Sequence, residues 1–371
     1  MRRFRLPDEA GIFSVLVAVV VVFAIASRPF ATVPNALELL LDGTVIAALA
    51  LGQTFVLLTG GIDLSTGANV AMTGVLAAVF LQAGLPAPLA VVLAVACGTL
   101  LGVANGLMVH YLRVPAFIVT FSTLGVASSI PLIITGANSI PILDPWFTEI
   151  GQGNVLGIPI PIIIVGIAFL LADVMLGWTR LGTHIYALGG NRAAARLAGV
   201  NVARTTVIVY ALSGFCAGIG GVIATSRLGV GFPATGQGNQ LFYSIAAAVV
   251  GGVSLFGGVG SVVGAMIGAV LIATISDGMN VTNVQAYWQP LVIGLIILVG
   301  VAFDTRRSLR REQGANARSH PRGGSALRLD RAPEPQPAGV HPPMSHPPEG
   351  VPDAPLSPAG PPNVGESRSS E

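Results

Sequence analysis

Chemistry needs reactive side chains, and this chain offers few. Its two cysteines, Cys97 and Cys216, both sit inside apolar runs, where a thiol behaves as a small buried hydrophobe. No H-E-x-x-H, G-x-S-x-G or paired C-x-x-C pattern is present. A phosphate-cradling G-x-x-x-x-G-K-[ST] loop needs a lysine, and all 19 basic residues are arginine. Energy drawn from a nucleotide would have to arrive through another chain. Two features stand out instead. One is Asp63 in the glycine-rich break GGIDLSTG, since an acid within an apolar region is costly and so a candidate for function. The other is HIYALGGNRAAARLAGVNVARTTV (184–207), a basic stretch with Arg192, Arg196 and Arg204 between two apolar runs.

The elements that must position these residues are membrane helices. The 371 residues are 53% hydrophobic and 10% charged, well below the roughly 25% charge of a soluble domain. Mean hydropathy is +0.77. The apolar runs approach the roughly 20 residues that cross a bilayer, and alternating barrel-like segments are absent. The fold class read here is an all-α polytopic membrane protein of about ten transmembrane helices, some short or broken. The expected spans are 11–27, 42–59, 68–83, 87–110, 116–135, 158–176, 205–225, 241–256, 260–276 and 287–303. Residues 1–10 read as a basic N-terminus and 11–305 as the transmembrane domain. The Pro/Arg-rich stretch 306–371 reads as a disordered tail, being too polar to offset chain entropy. Residues 1–27 mimic a secretory signal, but the many following spans favour an uncleaved first helix.

Arg2, Arg3 and Arg5 place the N-terminus in the cytoplasm by the positive-inside rule. Ten crossings return the C-terminus to the same side, and the parity also puts Arg113 and the 180–204 segment there. Arginine clusters suit nucleic acids too, but membrane topology accounts for them, and no nucleic-acid partner is expected. Within the basic segment, Asn191 is a suitable N-cap and Gly199 a suitable helix stop. The helix between them has roughly two turns, too short to cross a membrane. Pattern alone allows an interfacial connector touching anionic headgroups or a docking helix for a cytoplasmic partner.

Gly60-Gly61 and Gly251-Gly252 each end an apolar run, in GGIDLSTG and GGVSLFGG. They read as a degenerate repeat or as two independent turns. Broken helices free backbone groups to line a cavity. Asp63 reads either as a pathway residue or as a cap for the helix starting near Ser65. The candidates for a translocation pathway or gate are Gln53, Asp63, Ser65, Asn69, Asn105, Thr120, Ser122 and Asn280. Interhelical hydrogen bonding is the competing account of the same residues. Tyr287 and Trp288 read as aromatic anchors at the outer interface.

Five segments resemble bacterial ABC importer permeases of the ribose and monosaccharide type. They are LTGGIDLSTGANVAM (58–72), NGLMVHYLRVPAFIVTFSTLG (105–125), YALGGNRAAARLAGVNVARTTVIVYALSG (186–214), AAAVVGGVSLFGGVGSVVGAMIGA (246–269) and NVQAYWQPLVIGLIILVGVAFD (283–304). The resemblance covers roughly 40–304, in order. It implies that the loop within 180–204 is a coupling helix seated in a separate ATPase chain, at Gly190, Asn191, Arg192, Ala194, Ala195, Arg196, Leu197 and Gly199. Arg192 departs from the family, which often has an acid or another polar residue there, and an arginine in the first turn slightly opposes the helix dipole. The sequence TFST at 120–123 also departs, where the family often has glycine. The resemblance implies an inner-membrane subunit without a cofactor of its own, ATP and Mg being held by the ATPase. It implies a substrate-binding protein outside, a second permease subunit and a surrounding lipid bilayer. The expected solute is a monosaccharide such as ribose; related permeases carry branched-chain amino acids, nucleosides or signalling furanones. A stand-alone secondary transporter is the alternative, but the few acids (Asp63, Asp173, Asp277) lie near span ends. An enzyme would need a nucleophile–base or metal set that is not found in the sequence.

Overall fold

The computed structural model describes residues 9–236 and 238–319. In chain order the helices are α1 (Ala10–Ala26), α2 (Val33–Leu58), α3 (Thr66–Gln82), α4 (Ala87–Tyr111), α5 (Ala116–Thr135), α6 (Pro145–Gln152) and α7 (Ile160–Trp178). They continue as α8 (Arg180–Gly190), α9 (Arg192–Leu197), α10 (Val202–Leu228), α11 (Asn239–Val250), α12 (Val262–Val281) and α13 (Gln289–Ser319). Short 3₁₀ turns occupy Arg28–Ala31 and Ala286–Trp288. Two-residue strands β1 (Ile140–Pro141) and β4 (Val230–Gly231) pair antiparallel, as do β2 (Asn154–Val155) and β3 (Ile158–Pro159). Among the described residues, seven helices are long and apolar enough to cross a membrane, and α1, α3 and α11 are shorter apolar helices.

Helix starts follow the proline and cap signals. Thr32 caps α2 by accepting from Asn35 N–H, and Pro34 lies in the first turn. Proline also opens α4, α6 and α7, where its missing N–H costs nothing. α2 begins well before the expected residue 42, because its outer turns tolerate Glu38 and Asp42 on exposed faces. Asp42 pairs there with Arg227 of α10. α11 stops at Val250, short of the expected 256. Gly252 adopts φ 91°, and the Gly252 and Val253 N–H groups donate back to Val249 and Ala248 carbonyls, closing the helix. α6, capped by Asp144, lies in a loop where no helix was expected. α13 runs on past residue 305 to Ser319. Arg2, Arg3, Arg5 and the rest of the expected tail lie outside the described residues.

α2 is the central span, with Leu49, Leu51, Leu57 and Leu58 almost fully buried. α4, α5 and α7 turn Val92, Leu100, Ile133, Leu170 and Leu171 outward. Water would not tolerate so wide an apolar surface; hydrocarbon does. Oil around the bundle removes the hydrophobic drive between helices, so close packing must hold them. The α4–α10 crossing shows how. Gly98, Gly102 and Gly106 recur every fourth residue along α4, on one face, and are buried against α10. A Cβ at Gly102 would sit 2.2 Å from the Tyr210 carbonyl oxygen, and one at Gly106 would sit 2.7 Å from Val207 Cα.

Gly102→Ala is therefore expected to destabilise the protein by ~1–3 kcal/mol through overpacking. Gly166→Ala, where a Cβ meets nothing within 4 Å, should be neutral or slightly stabilising. Thermal unfolding of the two variants in detergent checks the contrast.

Candidate functional site

Helix α9 forms as its caps dictate. Asn191 Oδ1 accepts from Ala194 N–H at 2.9 Å. Gly199 takes φ 84°, its N–H donates to Arg196 O, and Val200 N–H donates to Ala195 O, which is the Schellman closure. Of the positions the resemblance singled out, Ala195 is buried at 4% exposure, whereas Leu197 is 91% exposed. Gly190, Asn191, Arg192, Ala194, Arg196 and Gly199 are also exposed. The helix thus rests on one alanine and presents the rest outward, including a leucine that no part of the chain covers among the described residues.

The glycines before α9 are not a free hinge. Gly189 and Gly190 end α8, which continues through them. A Cβ at Gly189 would fall 1.9 Å from Leu58 O and 2.4 Å from Gly258 N. Gly258 N–H donates to that same Leu58 carbonyl at 2.9 Å. Three chain segments therefore meet backbone to backbone: the end of α2, the end of α8 and the 251–261 loop. Tyr186 of α8 adds a bond to Gly260 O at 2.9 Å. Burial, then the nearby Asp173 carboxylate, push the Tyr186 phenol above its ordinary range, so it remains a donor at physiological pH.

The two glycine-rich turns, expected either as a repeat or as unrelated, touch at this junction and share a geometry. Gly60 and Gly61 N–H groups donate to Leu57 and Val56 carbonyls, as Gly252 and Val253 do at the end of α11. Gly60 thus matches Gly252, with Gly61 matching Val253.

Just beyond the first turn lies a buried polar knot. Asp63 is 1% exposed. Its Oδ1 accepts from Ser65 N–H at 3.0 Å and Ser65 Oγ at 2.6 Å, and its Oδ2 accepts from Ser213 Oγ of α10 at 2.7 Å. Asn105 Nδ2 of α4 donates to Ser65 Oγ at 2.9 Å. Gln53 Nε2 of α2 donates to the Asp63 carbonyl and to Thr66 Oγ1. Thr120 Oγ1 reaches the Ile62 carbonyl at 3.2 Å and Tyr210 OH the same oxygen at 3.4 Å. Asn69 Nδ2 bridges Gly98 O and Gly214 O at the α4–α10 crossing. Six of the expected pathway residues, Gln53, Asp63, Ser65, Asn69, Asn105 and Thr120, are thus buried around one re-entrant segment. Both oxygens of Asp63 are engaged, one by Ser65 just before α3 and the other by Ser213, so the carboxyl ties the start of α3 to α10. Thr120, in the stretch that departs from the resembled family, fastens α5 to this segment.

Ser122 and Asn280 do not join. Ser122 is about 200° around α5 from Thr120, exposed, and bonded only to Ile118 O in its own helix. Asn280 lies at the far end of α12, accepting from Gln289. Tyr287 and Trp288 stand near that end, 69% and 48% exposed. Ser213 and Tyr210 were missed by sequence reasoning; a lone serine and tyrosine in an apolar helix carry no pattern. Three amide oxygens of the knot, Gln53 Oε1, Asn69 Oδ1 and Asn105 Oδ1, have no partner among the described residues.

Ser213→Ala should cost ~1–3 kcal/mol, because it strips Asp63 Oδ2 of its donor in a buried site. A double-mutant cycle with Ser65→Ala, read by thermal unfolding, should show coupling of ~0.5–3 kcal/mol between the two hydroxyls.

Residues 35–301 match the family described as branched-chain amino acid transport system, permease component. The ribose import permease protein RbsC of Escherichia coli K12 is 39% identical over 309 residues, covering 81% of this chain and 95% of that protein. The Bacillus subtilis ribose import permease RbsC is 38% identical, covering 81% and 94%. The D-allose transport system permease AlsC of Escherichia coli K12 is 36% identical, covering 80% and 91%. No solved structure matches. The chain belongs to the branched-chain amino acid transport system permease family, and is a multi-pass membrane component of a transporter rather than an enzyme.

Proposed function

We propose that this chain is the permease subunit of an ATP-driven importer for a monosaccharide, with ribose the first candidate. The names of its relatives support the solute class: ribose, D-allose and, in an Azospirillum brasilense relative 34% identical, L-arabinose. The observation that carries the energy source is α9. It is a capped helix, exposed apart from Ala195, adjoining the backbone junction with α2. A separate ATPase chain docks on it and holds ATP and Mg, since this chain has no lysine for a phosphate loop. A substrate-binding protein delivers the sugar from the opposite face, and a second permease subunit completes the pathway. The α9 face is cytoplasmic in this reading, because Arg113, Arg180, Arg192, Arg196, Arg204 and Arg306 gather there.

Transport follows alternating access, with closure of the ATPase pair biasing two arrangements of the permease. The knot around Asp63 is one candidate for the part that rearranges. Its unpartnered amide oxygens are acceptors that a second arrangement can satisfy.

Replacing 192–197 with a Gly/Ser linker should abolish co-purification of the ATPase while leaving the permease folded; retained ATPase would sink the docking role. Growth of a deletion strain on ribose, allose, xylose or arabinose as sole carbon source tests the solute. Loss on ribose is expected, and normal growth on all four argues against a monosaccharide.

A further inference from the structure

The 251–261 loop is held from four directions, and two of its anchors come from the first and last helices described. Asp304 Oδ2 of α13 accepts from Ser254 Oγ and from Leu255 N–H, each at 3.0 Å. Ser254 Oγ in turn accepts from Phe256 N–H at 3.2 Å. At the loop's other end, Ser261 Oγ donates to Glu9 Oε1, just before α1, at 2.8 Å. The remaining two anchors are those of the junction: Gly258 N–H on Leu58 O and Tyr186 OH on Gly260 O.

The carboxylate of Asp304 carries more than a local turn. Val253 and Leu255 pack into the core, but the loop's glycines bring no side chains to fix them, and backbone entropy of about 1–2 kcal/mol per residue opposes their order. Gly252, Gly257, Gly258 and Gly260 all take positive φ, so the fold demands a conformation that the chain holds only under constraint. Asp304 adds to that constraint at residues 254–256, beside the loop's own bonds from Ser254 N–H to Val259 O and from Gly257 N–H to Ser254 O; these residues lead into the Gly257-Gly258 step that meets Gly189 and Gly190. A Cβ at Gly258 would lie 2.8 Å from Gly190, so any shift of the loop is passed directly to the residue before α9's cap. Both of the Asp304 bonds fall on the same carboxylate oxygen, Oδ2, which the loop therefore engages twice.

We infer that Asp304 is a positioning residue for energy coupling: it fixes the 254–258 backbone against Gly189-Gly190, so that motion at α9 reaches α2 and α13 as one displacement. The inference rests on the docking role proposed above for α9. Without Asp304 the loop yields, and movement of the ATPase is absorbed rather than transmitted.

The test uses the assembled complex of permease, ATPase and binding protein in liposomes. Two quantities are read separately: ATPase retained on the permease, and the stimulation of ATP hydrolysis by the binding protein. Asp304→Ala should retain the ATPase and its basal hydrolysis, while stimulation falls between about 2-fold and 30-fold, the range of effects along coupling networks. Asp304→Asn, which keeps an acceptor oxygen in place, should restore most of the stimulation. Ser254→Ala removes the hydroxyl arm, together with its acceptor for Phe256 N–H, but keeps the Leu255 N–H bond to Asp304; it should give a smaller fall, and it decides the matter if Asp304→Ala does not fold. Wild-type stimulation in Asp304→Ala, or in Ser254→Ala where that variant decides, overturns the inference. So does loss of the ATPase itself, which would make Asp304 a docking residue. Failure of the underlying reading shows elsewhere, as ATPase retained by the chain with a linker at 192–197.

Discussion

The carbonyl of Leu58 organises one whole face of this molecule. A helix leaves its last carbonyls without partners, and hydrocarbon offers no water to satisfy them. α2 is the central, buried span, so its end must find a donor within the protein. Gly258 N–H is that donor, and its approach is possible only because Gly189 has no side chain in the way. From this one requirement follow the close seating of α8, the left-handed turns of the 251–261 loop, and the fixed position of α9 beside them. The glycines here are close-approach residues rather than flexible ones.

The same logic governs the Asp63 knot a few residues on. The chain re-enters the bundle as an extended segment between α2 and α3, exposing backbone polar groups that neither helix can use. Gln53, Thr120 and Tyr210 supply donors to the Ile62 and Asp63 carbonyls. The Asp63 carboxyl supplies the acceptor for the N–H of Ser65, the residue just before the next helix. Four helices thereby become attached to one short strand of irregular backbone. Burying the carboxyl is tolerable because Ser65 and Ser213 engage both of its oxygens; without them it would be among the costliest groups in the fold.

Much of this was legible in the sequence. Apolar runs found all ten apolar helices among the described residues, since hydrocarbon demands length and apolarity from each in turn. Asn191 and Gly199 fixed α9 because capping is a local rule. What failed was non-local. The partner of Asp63 on α10 is Ser213, 150 residues away, and no spacing rule reaches that far. α11 was drawn too long because Val253-Ser254-Leu255-Phe256 is apolar enough to continue a helix, while its glycines and Asp304 hold it in a loop. α6 escaped because eight residues with a single cap lie below what composition can single out. Ser122 looked equivalent to Thr120 on polarity, and helical angle alone separates them. Of the five segments that resemble the family, three meet at the Leu58 carbonyl.

The shortness of α11 has an electrical consequence. Its 12 residues rise about 18 Å, against a hydrocarbon layer of roughly 30 Å. α11 alone therefore cannot cross that layer, whereas the 25-residue α4 can. The chain goes on from the end of α11 as the 251–261 backbone, whose amides and carbonyls are far more polarisable than lipid tails, so the end of α11 meets a softer dielectric than hydrocarbon would give it.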